Sequence, residues 1–319
     1  MNSFFSLSPD SVLNAIENNR FRTTGEFYQL NSYENRVFNL RLETTAQQPL
    51  SQVIAKFYRP GRWSLAALGE EHGFLNELRE QDLDVVAPML LKNGRTIDEL
   101  AGPIYFSLFP KTPGRMPEEF FDADWKRIGT MLAQLHNCGA KKTFQHRPTM
   151  GSDNHLGWQS LSVLKKWVAP EVWSRYEAAC LDILDYLDSE LPEQRFLRIH
   201  GDCHRGNILH NGDSFFFVDF DDCINGPAVQ DLWMLLPGTV EDTQKELELF
   251  MSGYTQFRDF NENELDLIPA LRGLRIFSYA AWIGNRWHDP SFPRLFPQFE
   301  SYNYWAEELE ALEKIAWSL

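Results

Sequence analysis

Residues 198–222, RIHGDCHRGNILHNGDSFFFVDFDD, combine two short apolar runs with five aspartates and three histidines. The segments FLRI at 196–199 and SFFFV at 214–218 are predicted to be short strands that bracket the acidic stretch. Burying an ionisable group without a partner costs free energy, so such groups usually lie where something binds them. We therefore expect a metal ion and a nucleotide phosphate to bind here.

The spacing of Asp202, Asn207 and Asp219 within this stretch suits phosphoryl transfer. One aspartate, Asp202, would accept or orient the proton of an attacking hydroxyl. Asn207 and Asp219 would then ligate Mg²⁺ on the nucleotide phosphates, because hard oxygen ligands favour Mg²⁺ over softer metals. The first strand would present Asp202 and Asn207 on a loop, and the second strand would bring Asp219 beside Asn207.

Two other interpretations of the stretch stay open. The first is a surface loop with local Asx-turns, which becomes less favoured once Asp219 is seen to follow an apolar strand. The second is a zinc site formed by His200, Cys203 and His204. These three residues are too close in sequence to converge easily on one metal ion. Adding His210 as a ligand does not remove this difficulty.

Lys56 is the second candidate, in the predicted strand SQVIAKFY at 51–58. A lysine that alternates with large apolar residues is also typical of an edge or surface strand. In a nucleotide site it would bridge the α- and β-phosphates and pair with a glutamate of the following helix. Glu70 and Glu71 are both available, and Glu71 is preferred because Phe74, three residues on, lies on the predicted buried face.

The segment LNSYENRV at 30–37 is the third candidate. Phosphate loops usually contain glycines, which let backbone N–H groups approach the phosphates, and this segment has none. Asn31, Ser32 and Asn35 tolerate turns and could donate to phosphate oxygens. Taken alone, the segment is more typical of an ordinary hairpin turn.

Composition limits the possible partners of this 319-residue chain. Its net charge of −15 argues against nucleic acid or an anionic membrane surface as the main partner. The part after Pro110 carries −12 of that charge, which would favour a cationic acceptor. The four cysteines show no CxxC spacing and are interpreted as reduced thiols. With no signal peptide and no apolar run of membrane-spanning length in the sequence, we expect a cytoplasmic protein and a monomer.

The order of the elements predicts an α+β fold with two lobes. Strands at 36–45, 51–58 and 103–109, with a helix at 65–83, would form a small N-terminal lobe of residues 1–110. PKTPGRMP at 110–117 would connect it to a larger helical C-terminal lobe of residues 111–319. Helices of that second lobe are predicted at 122–139, 171–190, 241–257, 264–284 and 303–317.

This order of motifs resembles the aminoglycoside phosphotransferase and choline kinase-like branch of the protein kinase fold. HGD at 200–202 replaces the HRD of ordinary protein kinases, DFD at 219–221 stands where they have DFG, and no APE motif follows. NSYENRV at 31–37, HRPT at 146–149 and NGPAVQDLWMLL at 225–236 are similar to segments of bacterial Ser/Thr protein kinases within that branch.

The resemblance implies roles for individual residues. Asp202 and Asp219 would be the catalytic residues, and Asn207 and Asp219 the Mg²⁺ ligands. Residues of the nucleotide site would be Ser32, Lys56, Glu71 and Phe109, the last at the hinge between the lobes. Asp231 would brace the catalytic loop, whereas Arg205, where relatives carry a small residue or proline, receives no role.

The implied activity is ATP- and Mg²⁺-dependent transfer of the γ-phosphate to Ser/Thr hydroxyls of proteins, in a bacterial stress response. A small-molecule kinase for an amino alcohol or an aminoglycoside is the alternative on the same fold. A catalytically inactive, partner-binding module is disfavoured because Lys56, Asp202 and Asp219 are all present.

Overall fold

The computed structural model describes residues 4, 7–45, 49–100, 103–151, 156–191 and 193–319. Part of the N-terminal stretch in which we predicted no signal peptide lies outside these residues. Among the described residues, no helix combines the length and the apolar character needed to cross a membrane.

A five-stranded antiparallel sheet in the order β1-β2-β3-β5-β4 forms most of the N-terminal lobe. Its strands are β1 (Thr23–Leu30), β2 (Arg36–Leu42), β3 (Gln52–Phe57), β4 (Asp98–Leu100) and β5 (Ile104–Pro110). One face of the sheet packs against α1 (Pro9–Asn18), which the sequence analysis did not predict. Along β3, Val53, Ala55 and Phe57 are buried on that face, so the alternating residues, including Lys56, point to the other.

Helix α2 (Leu65–Glu80) crosses between the two lobes. It begins at Ser64, whose hydroxyl accepts the backbone N–H of Ala67 and so satisfies one of the free donors of the first turn. Near its start Leu68 packs with residues of the N-terminal lobe, whereas Phe74 and Leu78 belong to a core shared with the C-terminal lobe. The helix therefore packs against both lobes.

The remainder of the chain is mainly helical, as predicted. Its helices are α3 (Asp122–Gly139), α4 (Leu156–Leu164), α5 (Pro170–Glu190), α6 (Val229–Trp233), α7 (Gln244–Tyr254), α8 (Ile268–Arg286), α9 (Phe292–Leu295) and α10 (Tyr302–Ala316). Helices α3 and α7 pack backbone against backbone, since a Cβ at Gly129 or Gly253 would collide with a carbonyl of the opposite helix. Helix α4 was not predicted, and α7 is shorter than the predicted 241–257.

The two strands predicted around the acidic stretch exist but do not pair with each other. β6 (Leu197–Ile199) pairs with β9 (Ile224–Gly226), and β7 (Ile208–His210) pairs with β8 (Phe215–Phe217). The two predicted strands therefore belong to different ladders, and the acidic stretch between them is not a single hairpin. Just beyond the β6–β9 ladder, Gly201 has a φ of +81°, and a Cβ there would collide with the carbonyl of Asp222.

Candidate active site

Asp231 of α6 fixes the loop that leaves β6. Its buried carboxylate accepts the backbone N–H groups of His200 and Gly201, both at 2.8 Å. The same carboxylate lies 3.2 Å from Nε2 of the buried His136. Hydrogen bonds to an ionised acceptor are stronger than those between neutral groups, so the start of the HGD segment is held firmly in place.

His200 connects the two ends of the acidic stretch. Its Nε2 lies 2.9 Å from the carbonyl oxygen of Val218 and so donates to it, while Nδ1 accepts the backbone N–H of Asp202 at 3.4 Å. These partners assign the tautomer with the proton on Nε2. Through this buried ring, the residue before Asp219 is tied to the loop that carries Asp202.

Asp202 lies in the loop that leaves β6, with 21% of its side chain exposed. Its Oδ1 is 2.7 Å from Nη1 of Arg275, and its Oδ2 is 3.5 Å from Nε2 of His204 and 3.4 Å from Nδ2 of Asn207. Burial alone would raise the pKa of Asp202, but the hydrogen bond from His204 and the charge of Arg275 hold that pKa well below its ordinary value. Asp202 is therefore ionised at neutral pH.

Asn207 and Asp219 lie side by side because the backbone N–H of Val218 donates to the carbonyl of Asn207 at 3.0 Å. The amide nitrogen of Asn207 donates to the backbone carbonyl of Asp202 at 2.9 Å. Asp219 has a φ of +60°, in the left-handed region that non-glycine residues rarely adopt. Its side chain is 55% exposed, so its carboxylate faces the cleft.

Lys56 is buried among three carboxylates. Its Nζ lies 3.0 Å from Oδ1 of Asp219, 3.1 Å from Oδ1 of Asp221 and 4.0 Å from Oε1 of Glu71. Burial would lower the pKa of Lys56, but these carboxylates raise it well above its ordinary value. The sheet thus presents a permanent positive charge to Asp219 and Asp221, two of the three aspartates that follow β8.

Of the two glutamates considered as partners of Lys56, Glu71 is the one that lies near it. Glu70 instead accepts the backbone N–H groups of residues 145–147, at 2.6 to 3.0 Å. Arg147 completes the arrangement, since its buried guanidinium donates to Glu71, to the carbonyl of Ala67 at 3.0 Å and to that of Asp221 at 2.6 Å.

Arg62 is a second arginine of the site, and it follows β3. Its Nη1 and Nη2 lie 2.5 Å from carboxylate oxygens of Asp221 and Asp222, respectively. Sequence reasoning assigned a role to neither Arg62 nor Arg147. For Arg147 the available signal was its position within HRPT, a segment that carried the family resemblance.

Residues 31–35 connect β1 to β2 above the cleft, and Ser32 stabilises this turn. Its hydroxyl accepts the backbone N–H of Asn35 at 3.3 Å. Glu34 fastens the turn to α8, where its Oε2 lies 2.7 Å from Nη2 of Arg286 and 2.8 Å from Nε1 of Trp282. The ring of Tyr33 also packs edge-on against Trp282, with centroids 6.4 Å apart.

Phe109 lies at the end of β5, directly opposite Ile54 of β3. Lys56 and Ser107 form the next pair on the same face, because directly opposed residues of an antiparallel ladder share a face. The ring of Phe109 lies edge-on to His72 of α2, with centroids 6.0 Å apart. The structure therefore brings Phe109 to the Lys56 side of the sheet.

The oxygen donors of Asn207 and Asp219 fit a hard divalent cation such as Mg²⁺. The zinc alternative fits poorly, because His200 bonds to Val218, Nδ1 of His204 accepts the N–H of Gly206, and Cys203 is fully buried. Burial raises the pKa of Cys203 well above its ordinary value, which disfavours the thiolate that zinc requires. Across the described part of the chain, no group of three His, Cys, Asp or Glu side chains is arranged to hold a metal ion.

Comparisons with known proteins match nearly the whole chain. Residues 28–274 match the family described as "Phosphotransferase enzyme family". Stress response kinase A of Escherichia coli (strain K12) is 37% identical over 311 residues, which cover 96% of this chain and 92% of that protein. "Serine/threonine protein kinase RdoA" of Salmonella typhimurium (strain LT2) is 36% identical with the same coverage.

A solved structure of amicoumacin kinase hAmiN, in complex with AMP-PNP, Ca²⁺ and Ami, has the same fold. The two structures superpose with a TM-score of 0.75 at 16% sequence identity, covering 96% of this chain and 93% of the other. The predicted α+β, two-lobed kinase-like fold is confirmed.

Proposed function

The chain belongs to the phosphotransferase enzyme family, and from that membership we propose that it is an ATP- and Mg²⁺-dependent kinase for Ser/Thr hydroxyls of proteins. The family resemblance inferred from its motifs is thereby confirmed. The small-molecule kinase remains the alternative, and the amicoumacin kinase neighbour supports it.

One observation carries the proposal: Lys56 of the sheet and Asp219 of the C-terminal lobe meet at 3.0 Å, with Asn207 beside Asp219. We assign Lys56, supported by Glu71, to the nucleotide phosphates, and Asn207 and Asp219 to Mg²⁺. Bound Mg²⁺ would neutralise charge on the phosphates. Ser32 and Phe109 would contribute to the nucleotide site from the β1–β2 turn and the end of β5.

Asp202 would orient the acceptor hydroxyl. Its low pKa keeps the carboxylate ionised and able to accept a hydrogen bond from that hydroxyl. His200 and Asp231 hold the loop of Asp202 in one position, so the geometry exists before the acceptor binds. Catalysis would then depend chiefly on positioning and charge neutralisation, as is usual for phosphoryl transfer.

A protein acceptor is supported by the name of the Salmonella relative, and a role in stress response by that of the E. coli relative. We propose the cytoplasm as the location, since all four cysteines are free thiols in the structure. We further propose that the lobes divide after Pro110, where β5 ends, into residues 1–110 and 111–319.

The test is transfer of labelled γ-phosphate from ATP with Mg²⁺, comparing wild type, Asp202→Asn and a control, Asp213→Asn. Asp213 lies on the exposed turn between β7 and β8, so its substitution leaves the cleft unchanged. Each protein is offered a generic basic protein and, separately, a mixture of choline, homoserine and aminoglycosides. The proposal is supported if wild type and Asp213→Asn transfer label to the protein substrate and Asp202→Asn does not. Label only in a small molecule would support the alternative, and no transfer to either would contradict both.

A further inference from the structure

One face of α8 forms a wall of the cleft. Arg275, Tyr279, Trp282 and Arg286 are spaced four, three and four residues apart, so their side chains follow one stripe of the helix. At one end Trp282 and Arg286 bond to Glu34 of the β1–β2 turn. At the other end Arg275 contacts Asp202. This stripe thus borders the space that an acceptor must enter to reach Asp202.

Arg275 differs from the other arginine of the stripe. Arg286 is only 15% exposed and pairs with Glu34, whereas Arg275 is 41% exposed. Within the described ranges, the one carboxylate in ion-pair contact with Arg275 is that of Asp202, at 2.7 Å. Tyr279, exposed beside it, stacks on Trp282 with ring centroids 5.4 Å apart and gives the wall a flat aromatic surface.

An acceptor hydroxyl that reaches Asp202 must share the carboxylate with Arg275 or displace it. An acceptor that displaces Arg275 from Asp202 also removes water from the guanidinium, and a desolvated charge that has lost its partner is unfavourable. A carboxylate close to the acceptor hydroxyl would supply that partner, with the two-pronged geometry that guanidinium groups favour. A cationic group in the same place would instead be repelled.

We propose that Arg275 is a specificity-determining residue that selects acceptors with a carboxylate next to the reacting hydroxyl, namely Ser or Thr flanked by acidic residues. This inference rests on the proposed function and names its acceptor class. It runs against the expectation of a cationic acceptor drawn from the net charge. Dispersed surface charge is screened by salt over about 10 Å, whereas Arg275 acts in direct contact.

The experiment uses two labelled peptides that differ only in the residues beside a central serine, glutamate in one and lysine in the other. kcat and KM are measured for wild type, Arg275→Gln, Arg275→Lys and a control, Arg175→Gln. Arg175 also forms an arginine–carboxylate pair, with Glu313, but on the exposed surface of α5 and α10. Binding of the same peptides with alanine in place of serine is measured by fluorescence anisotropy.

We expect wild type and Arg175→Gln to prefer the glutamate peptide by about tenfold or more in kcat/KM, as one charge-assisted hydrogen bond would give. Arg275→Gln should lose this preference through a higher KM for the glutamate peptide, and Arg275→Lys should keep part of it. Equal use of both peptides by wild type, or an unchanged preference in Arg275→Gln, would overturn the inference. Arg275-dependent binding of the glutamate peptide without any phosphate transfer would support it while contradicting the proposed function.

Discussion

The amino group of Lys56 on β3 lies 3.0 Å from the carboxylate of Asp219, which follows β8 in the other lobe. The pair joins the two lobes across the cleft, and 163 residues separate its members in sequence. Since the Asp219 side chain remains 55% exposed, the pair is held together and is still reachable from the cleft. In the proposed function, both partners would already be in place for the phosphates and their cation before any ligand binds.

Asp219→Asn should abolish Mg²⁺-dependent phosphate transfer and leave the fold intact. The amide keeps the shape of the carboxylate but removes the charge that would hold the cation, and we expect kcat to fall by about 10²–10³-fold or more. Phosphate transfer and circular dichroism are measured in parallel, with Asp213→Asn as the control. Wild-type activity in Asp219→Asn would show that the metal assignment is wrong.

Arg147→Met should destabilise the protein by about 3–5 kcal/mol, because it leaves the buried Glu71 without its hydrogen-bonded arginine. The free energy of unfolding in urea measures the effect. Lys142→Met removes an exposed ion pair with Glu77 and should cost about 1 kcal/mol or less. Adding Glu71→Gln to Arg147→Met should recover part of the loss; a double variant no more stable than the single one would refute the explanation.

Glu308→Gln should stabilise the protein at alkaline pH. Burial raises the pKa of Glu308 from 4.5 to about 7, although hydrogen bonds from Tyr304 and Tyr176 oppose the shift. The folded state therefore holds this proton more tightly than the unfolded state, and stability falls as the pH rises from 4.5 towards 7. Glutamine avoids that loss, which is at most about 3 kcal/mol at 1.36 kcal/mol per pKa unit.

Thermal unfolding at about pH 5 and about pH 8 checks this sign, since the wild-type loss is nearly complete at the higher value. Glu308→Gln should raise Tm relative to wild type mainly at the higher pH. Glu310→Gln, an exposed position on the same helix, serves as the control. An increase in Tm of the same size at both pH values would show that the ionisation of Glu308 is not its cause.

Glu34→Gln should loosen the β1–β2 turn. Burial would raise the pKa of Glu34, but Arg62 and Arg286 lower it, so the carboxylate binds its arginines as an anion. Without the charge, the backbone N–H of Asn35 should exchange about tenfold faster, the equivalent of ~1.4 kcal/mol. Hydrogen exchange of the segment is compared with that of Glu26→Gln, which breaks an exposed pair with Arg41. Equal exchange in both variants would show that Glu34 does not hold the turn.

The site residues that sequence analysis identified can be recognised from the pattern of apolar and polar residues around them. Lys56 interrupts an apolar alternation, Glu71 precedes a buried helical face by three residues, and Asp219 follows an apolar strand. Arg62, Arg147 and Arg275 carry no such mark, because a lone arginine in a loop or on a helix is usually a solvated surface residue. Only tertiary packing shows that each of them pairs with a carboxylate of the candidate site.

Secondary structure shows the same division. Helix α3 was predicted with the bounds it has, from a repeating apolar face and a terminal glycine. Helix α1 was missed although Ser8 caps it and Pro9 begins it, both recognisable signals of a helix start. The pairing of β6 with β9 could not be predicted, because three-residue strands carry too little pattern to specify a partner.

Helix α2 is fastened to the C-terminal lobe twice, through Glu70 on the backbone of residues 145–147 and through Glu71 on Arg147. In protein kinases, swinging the corresponding helix away from the lysine is a means of switching activity off. In this protein, such a movement of α2 would break both attachments at once. It would also leave the buried guanidinium of Arg147 without the carboxylate of Glu71. These attachments therefore hold α2 in the position that keeps Glu71 near Lys56, and they disfavour a switch that works by moving this helix.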